Sequence, residues 1–191
     1  MAAPTLEELF LGTFCYMIPL GVTVDSVTVS ATVKPDGSPT TNWTNYSVGS
    51  VLSFKPGVET KDRSYEAPSA HGGWEKRNKK VVIQDFIDLK TREMGELLLR
   101  LQFGLSGAIV LDAAQTPFAV TDRRIDCWLK FQARKEDGQD LCIGDVLCSV
   151  ELLNGIKGDN NVTEPEFRCV VYKTYAGVAV AGNTIVFPAV A

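Results

Sequence analysis

One run constrains this chain more than any other. From Arg124 to Arg134, the residues Ile125, Cys127, Leu129, Phe131 and Ala133 alternate strictly with Arg124, Asp126, Trp128, Lys130, Gln132 and Arg134. A period of two places the apolar set on one face of a β-strand. The segment KEDGQ (135–139) supplies a turn, with Gly138 available for a left-handed position. Leu141 to Leu152 reads as the return strand. Its apolar phase slips at Gly144–Asp145, which predicts a bulge there.

Further strands fit around this hairpin. Val22–Val33 reads as a strand with a phase change at Asp25–Ser26, again a bulge signal. Val48–Lys55 places Leu52 and Phe54 on one face before Pro56-Gly57 interrupts it. Val81–Ile87, Phe167–Thr174 and Thr184–Phe187 complete six or seven strands. Lys34–Asn45 is turn chemistry, rich in Pro, Asp, Gly, Thr and Asn, and Gly107–Val120 reads as a connector with one short strand. A single helix is predicted over 88–104. Asp88 is its N-cap, Met94, Leu97, Leu98, Leu101 and Leu105 form its apolar stripe, and Gly104 is its C′ residue. The fold class is therefore mainly β, a β-sandwich or curled antiparallel sheet with one flanking α-helix. Residues 1–20 read as an N-terminal arm, with a short helix at Thr5–Phe10 signalled by the capping box Thr5 and Glu8. Residues 21–191 read as one β-sandwich domain carrying a long inter-strand loop over 56–79. A loop of that length is normally functional or disordered, and without catalytic chemistry in view its expected job is to touch a neighbour.

Composition narrows the function. A net charge of −4 and a pI near 5.1 argue against a protein that grips nucleic acid. The five cysteines (Cys15, Cys127, Cys142, Cys148, Cys169) include no CxxC pair, so buried free thiols in a reducing compartment are expected rather than a zinc site. Glu7 and Glu8 stand where a secretory signal would be basic, and no apolar run is long enough to span a bilayer, so a soluble chain without membrane insertion is expected. Sequons at Asn42, Asn45 and Asn161 then read as chance occurrences.

The single histidine, His71, lies in the flexible segment Ala70-His71-Gly72-Gly73, where a contact role outweighs a catalytic one. Asp85, Asp88, Asp122 and Asp126 lack any flanking metal or acid–base motif. The cluster Lys76, Arg77, Lys79 and Lys80 follows Trp74 but stands among Glu66, Glu75 and Asp85, which favours an intersubunit or edge-protecting role over nucleic-acid binding. No phosphate-binding glycine motif is present. The expectation is a non-enzyme without cofactor or metal.

The order strand VGSVLSFKP, long loop, basic KRNKKVVIQDFI strand and helix DLKTREMGELLLRLQFG resembles the tail tube proteins of long-tailed bacteriophages. The hairpin 122–153 and the strand near TEPEFRCVVYKTY fit the same layout, over roughly residues 20–187. The resemblance implies a structural virion protein. Six copies would form a ring whose sheets join into an inner barrel, and the rings would stack into a tube. The long loop would reach the next ring, the N-terminal arm would bridge subunits, and a mainly negative bore would let DNA pass without specific binding. A sheath or a tape-measure protein would be a further partner, and assembly would take place in the bacterial cytoplasm before the chain enters the virion. Edge strands that are hazards on a monomer become joints in such a ring.

Candidate subunit contacts are Lys61, Arg63, Tyr65, His71, Trp74, Lys76 and Arg77. Two alternatives stand beside the tube. One is a β-sandwich binding module, an adhesin or carbohydrate-binding domain, using Trp43, Tyr46, Tyr65 and Trp74 as an aromatic platform. The other is a head–tail connector or terminator.

Overall fold

The computed structural model describes residues 10–35, 46–92, 95–110, 112–135, 139–156, 164–172 and 182–186. Its strands are β1 (Phe10–Pro19), β2 (Thr23–Val24), β3 (Val27–Thr28), β4 (Ser47–Val51), β5 (Ser53–Pro68), β6 (Trp74–Lys90), β7 (Arg124–Lys135), β8 (Asp140–Asn154), β9 (Glu166–Val171) and β10 (Thr184–Val186). Between β6 and β7 lies α1 (Glu96–Phe103). The main sheet is antiparallel in the order β4-β1-β7-β8-β9-β6-β5, and β10 pairs with β8 at residues 143–145, beyond the reach of β9. Among the described residues the fold is thus mainly β with one short helix, the class that the sequence pattern predicted.

The two ends of that strand order are one piece of chain. Only Leu52 separates β4 from β5, and its N–H donates to the Lys90 carbonyl at 2.8 Å. Thr91, fully buried, donates its hydroxyl to the Val48 carbonyl at 2.8 Å. The sheet therefore curls until its edges meet. Inside the curl lie Cys15, Met17, Ile87, Leu89, Leu129, Phe131, Val150 and Phe167, with Leu98 and Leu101 of α1 packed among them. On the outer face of β1, β7 and β8, a second cluster joins Ile18, Trp128 and Leu147 to Val24 and Val29. The Trp128 indole N–H donates to the Ser30 carbonyl at 2.9 Å and ties this cover down.

Several expectations change. Residues 10–19, read as part of an arm, form β1 between β4 and β7. This strand is apolar on both faces because both are buried, so it shows no alternation. Val22–Val33 is a small hairpin, β2–β3, and Asp25–Ser26 is its two-residue turn rather than a bulge. Both residues have positive φ, 49° and 68°, the geometry that matches strand twist in tight hairpins. The loop expected over 56–79 is mostly strand, the paired arms of β5 and β6. Leu52 is exposed at the β4–β5 junction rather than sharing the buried face of Phe54.

The helix starts later than predicted. Asp88, Leu89 and Lys90 pair with Arg168, Phe167 and Glu166 of β9, so Asp88 is a strand residue and not an N-cap. Gly95 caps α1 without a side-chain bond, and Gly104 takes the left-handed C-terminal position as expected. The β7–β8 pairing is continuous through Gly144, and its irregularity falls between Ala133 and Arg134, beside Leu141. Gly144 keeps the inward phase of β8, because a Cβ there would lie 2.1 Å from the Phe131 ring. The ring fills the place of the missing side chain. Among the described residues of 107–120 there is no strand. The Thr5–Glu8 capping box, the segment 36–45 with Trp43 and two sequons, the third sequon at Asn161, Met94 and Gly138 lie outside the described residues.

Candidate assembly surface

Where β6 leaves β9 at Phe86, it continues with β5 alone. From Thr60 to Pro68, nine residues of β5 pair with Val82 to Trp74, which extends a two-stranded ribbon by about 30 Å. The segment Ser69–Gly73 closes it. The Ser69 N–H donates to the Gly73 carbonyl at 2.9 Å, and Gly72 and Gly73 adopt positive φ of 86° and 82°, which an L side chain would strain. His71 sits exposed at this tip, its backbone N–H donating to Ser69 Oγ at 3.3 Å.

All seven candidate contact residues lie on the ribbon and are exposed: Lys61, Arg63 and Tyr65 on β5, His71 at the tip, and Trp74, Lys76 and Arg77 on β6. They do not share one face. The register sets Lys61 opposite Val81, Arg63 opposite Lys79 and Tyr65 opposite Arg77, whereas Glu66 faces Lys76 and Pro68 faces Trp74. Directly opposed residues point to the same side, and neighbours along a strand point to opposite sides. Lys61, Arg63, Tyr65, Arg77 and Lys79 therefore occupy one face, and Trp74 and Lys76 the other. Arg77 is paired with Glu75 on its own strand. Among the described residues, Trp74 is the most open of the large apolar side chains at 72% exposure.

Among the described residues Tyr46, Tyr65 and Trp74 do not come together as an aromatic platform. Tyr65 and Trp74 point from opposite faces, and Tyr46 lines a cavity of about 100 Å³ with Met17, Pro19, Glu96 and Arg100 beside α1. Burial, and then the charge of Glu96, push the Tyr46 hydroxyl up from its ordinary value.

The outer face at the root of the ribbon carries an arrangement that sequence reasoning missed. Lys55 stands opposite Asp88, Asp88 opposite Arg168, Arg168 opposite Glu151, and Glu151 opposite Arg124. Charges of alternating sign thus cross five strands in one row. Arg168 donates to both Asp88 oxygens at 2.8 and 3.0 Å, and Arg124 meets Glu151 at 3.2 Å. The bond to Asp88 holds the Arg168 guanidinium above its ordinary pKa. The Arg168 guanidinium also lies 4.4 Å from the Phe86 ring centroid. These residues are far apart in sequence, so no local spacing announces the row.

A second ionic feature lies on the covered part of the sheet. Lys130, only 4% exposed, meets Asp145 at 2.9 Å, and Lys34 reaches the other Asp145 oxygen at 3.6 Å. Thr184 of β10 and Lys34 are 3.2 Å apart. Beside it, the Asn183 side chain accepts from the Leu147 N–H and donates to the Tyr172 carbonyl. These contacts fasten the 30–35 segment and β10 to β8.

The thiols of Cys15, Cys127, Cys148 and Cys169 are buried in the main core, with Cys127 and Cys148 3.8 Å apart. Burial pushes the Cys15 thiol up; a bond to Cys148 and then burial raise those of Cys127 and Cys169. They pack as small apolar groups. Among the described residues, no three His, Cys, Asp or Glu side chains are placed to hold a metal ion. Asp126 accepts a bond from the Tyr172 hydroxyl at 2.8 Å and Asp88 is paired with Arg168, so the candidate carboxylates do not converge. No described helix is long and apolar enough to cross a membrane.

No protein-family model and no curated protein matches the sequence at significance. Among solved structures, the chain is similar to one in the sheath–tube complex of an extracellular contractile injection system in its extended state. The TM-score is 0.43 at 9% identity, over 97% of this chain and 95% of that one. It is also similar to a chain in the tube-terminating cap of the anti-feeding prophage, with a TM-score of 0.34 at 13% identity over 73% of this chain and 83% of that one. A third similarity is to a chain in the six-fold symmetrised anti-feeding prophage baseplate, with a TM-score of 0.34 at 8% identity over 98% of each chain. At TM-scores this low, function rests on this chain's own geometry.

Proposed function

We propose that this chain is a structural subunit of the tail of a phage or phage-like particle, assembling into stacked hexameric rings that form a tube through which DNA passes. A sheath or tape-measure protein is its further partner, and the virion its destination.

The single observation that carries the reading is the ribbon. Its side chains from Val58 to Lys80 are exposed, apart from partly covered Ala67 and Ser69, and nothing in the described chain packs on either face. An isolated two-stranded hairpin is marginal in water. Its outer edges offer unpaired N–H and C=O groups, which are templates for another chain. A partner that covers the ribbon supports both features at once, and copies of the same chain are the simplest supply. Seven of the eight strands of the main sheet lie on one path that closes on itself, so the ribbon is where such pairing finds room.

The test is negative-stain electron microscopy over a concentration series, with the purified chain beside a variant in which residues 61–81 are replaced by an Asn-Gly turn. Rings or hollow tubes with six-fold end views are expected from the first. The second is expected to give folded monomers. A persistent monomer from the unaltered chain overturns the reading, and normal tubes from the shortened chain overturn the role of the ribbon.

A further inference from the structure

The ribbon's two faces differ in how they handle charge. On the face of the odd-numbered residues stand Lys61, Arg63, Arg77 and Lys79 with two carboxylates, Glu75, already paired with Arg77, and Glu59 at the root of the ribbon. Among the described residues no carboxylate pairs with Lys61, Arg63 or Lys79. The register even sets Arg63 directly opposite Lys79, a like-charge pair that weakens the ribbon carrying it. The even-numbered face holds two cations and two carboxylates, and each cation is opposite an acid: Lys80 faces Asp62, and Lys76 faces Glu66. One face is thus balanced within itself. The other carries an excess that only something outside the ribbon can offset.

We propose that the face bearing Lys61, Arg63, Tyr65, Arg77 and Lys79 is the docking face of the ribbon, and that it seats on an acidic surface of a second copy of this chain. This rests on the self-assembly reading above. Residues 60–81 carry six cations and three carboxylates, an excess of +3, so the rest of a chain whose net charge is −4 carries −7. Every copy therefore brings a basic ribbon and an acidic remainder, and the two attract between copies. Such complementarity steers encounter, fixes register and disfavours the reversed orientation. A phosphate backbone is the less favoured occupant. Few cations are available, they share the face with one aromatic ring, and the acidic remainder repels nucleic acid.

The face assignment also separates residues that sequence reasoning grouped together. Trp74 and Lys76 fall on the balanced face, and Lys79 joins the docking face. Substitutions matched for net charge distinguish the two. Arg63→Gln with Lys79→Gln removes two charges from the docking face, and Lys76→Gln with Lys80→Gln removes two from the balanced face. Each pair is compared with the unaltered chain by sedimentation velocity across protein concentration and at low and high NaCl. Binding of a fluorescent single-stranded DNA is followed by anisotropy in parallel, and circular dichroism confirms that each variant is folded.

The docking-face pair is expected to raise the concentration needed for assembly by about tenfold or more and to flatten its salt dependence, with the balanced-face pair shifting it by about twofold or less. Equal shifts from both pairs overturn the face assignment and leave self-assembly standing. Loss of DNA binding by the docking-face pair with assembly unchanged assigns the face to nucleic acid and overturns the proposal. Failure of the unaltered chain to assemble at any concentration overturns self-assembly, and this proposal with it.

Discussion

The middle of strands β7 and β8 is covered on both faces, whereas the outer arms of β5 and β6 are covered on neither. The two regions use the same secondary structure and the same antiparallel pairing, but they differ in what stabilises them. In β7–β8 the inner face packs Cys127, Leu129 and Phe131 into the main core, and the outer face holds Trp128 and Leu147 under the β2–β3 hairpin and Lys130 against Asp145, which Lys34 also reaches. In the ribbon, stability comes from the ladder and its turn alone. Pairing is therefore sufficient for shape, and burial decides which part of the shape resists change.

Substitutions at opposite ends of this contrast are the way to break it. Trp128→Ala removes a 1%-exposed ring and its bond to Ser30, and is expected to destabilise by about 3–5 kcal/mol in urea unfolding. Loss of less than about 1 kcal/mol would mean that the outer cover is dispensable. Gly144→Ala forces a methyl group into the Phe131 ring and is expected to cost about 1–3 kcal/mol, read as a lowered unfolding midpoint. Arg168→Ala, in the solvated charge row, is expected to stay within about 1 kcal/mol. Shortening the ribbon is expected to change the unfolding midpoint of the body by still less while abolishing assembly. A large stability loss there would show that the ribbon belongs energetically to the body.

The smallest effect is one of pH. Bonds from Lys90 and then Arg92 hold the Glu164 carboxyl below its ordinary value. Its contribution to stability is present above the unfolded pKa of about 4.3 and is lost as pH falls through the depressed native value. Glu164→Gln is accordingly expected to lower stability slightly at neutral pH and to flatten the acid side of the profile below about pH 4.5, so that the two chains converge at low pH. An unchanged acid limb would mean that the pair is fully screened by solvent.

The same contrast explains what was legible in the sequence. Alternation announces a strand whose two faces differ in polarity, and the outer face of β7 carries Arg124, Asp126, Lys130 and Gln132 even where it is covered. The inward set of β7 showed it, and so did most of β8. It fails for β1, where Cys15 and Met17 enter one cluster and Ile18 the other. It fails equally for the ribbon, whose polar residues on both faces read as loop. The glycines at 72–73 carried the turn signal, but without flanking alternation they marked a flexible segment rather than a hairpin. Asp88 misled for another reason: its partner, Arg168, is eighty residues away. Gly144 produced a false phase slip because the Phe131 ring of the next strand occupies its space. The seven candidate residues lie on one ribbon, and their facing was not legible because it depends on a register that only the paired strands define.

The single-residue junction between β4 and β5 has a mechanical consequence. Both arms of the ribbon run without interruption into the sheet, one into β4 through Leu52 and the other into the segment of β6 paired with β9. A pull applied at the ribbon tip acts along these strands, and the hydrogen bonds that resist it lie across them. The β4–β1 and β6–β9 ladders are then loaded in shear, with many bonds bearing the force together rather than opening one after another. A ribbon anchored this way transmits tension to opposite ends of the strand order at once, as a fastener clamped on both sides of a seam does.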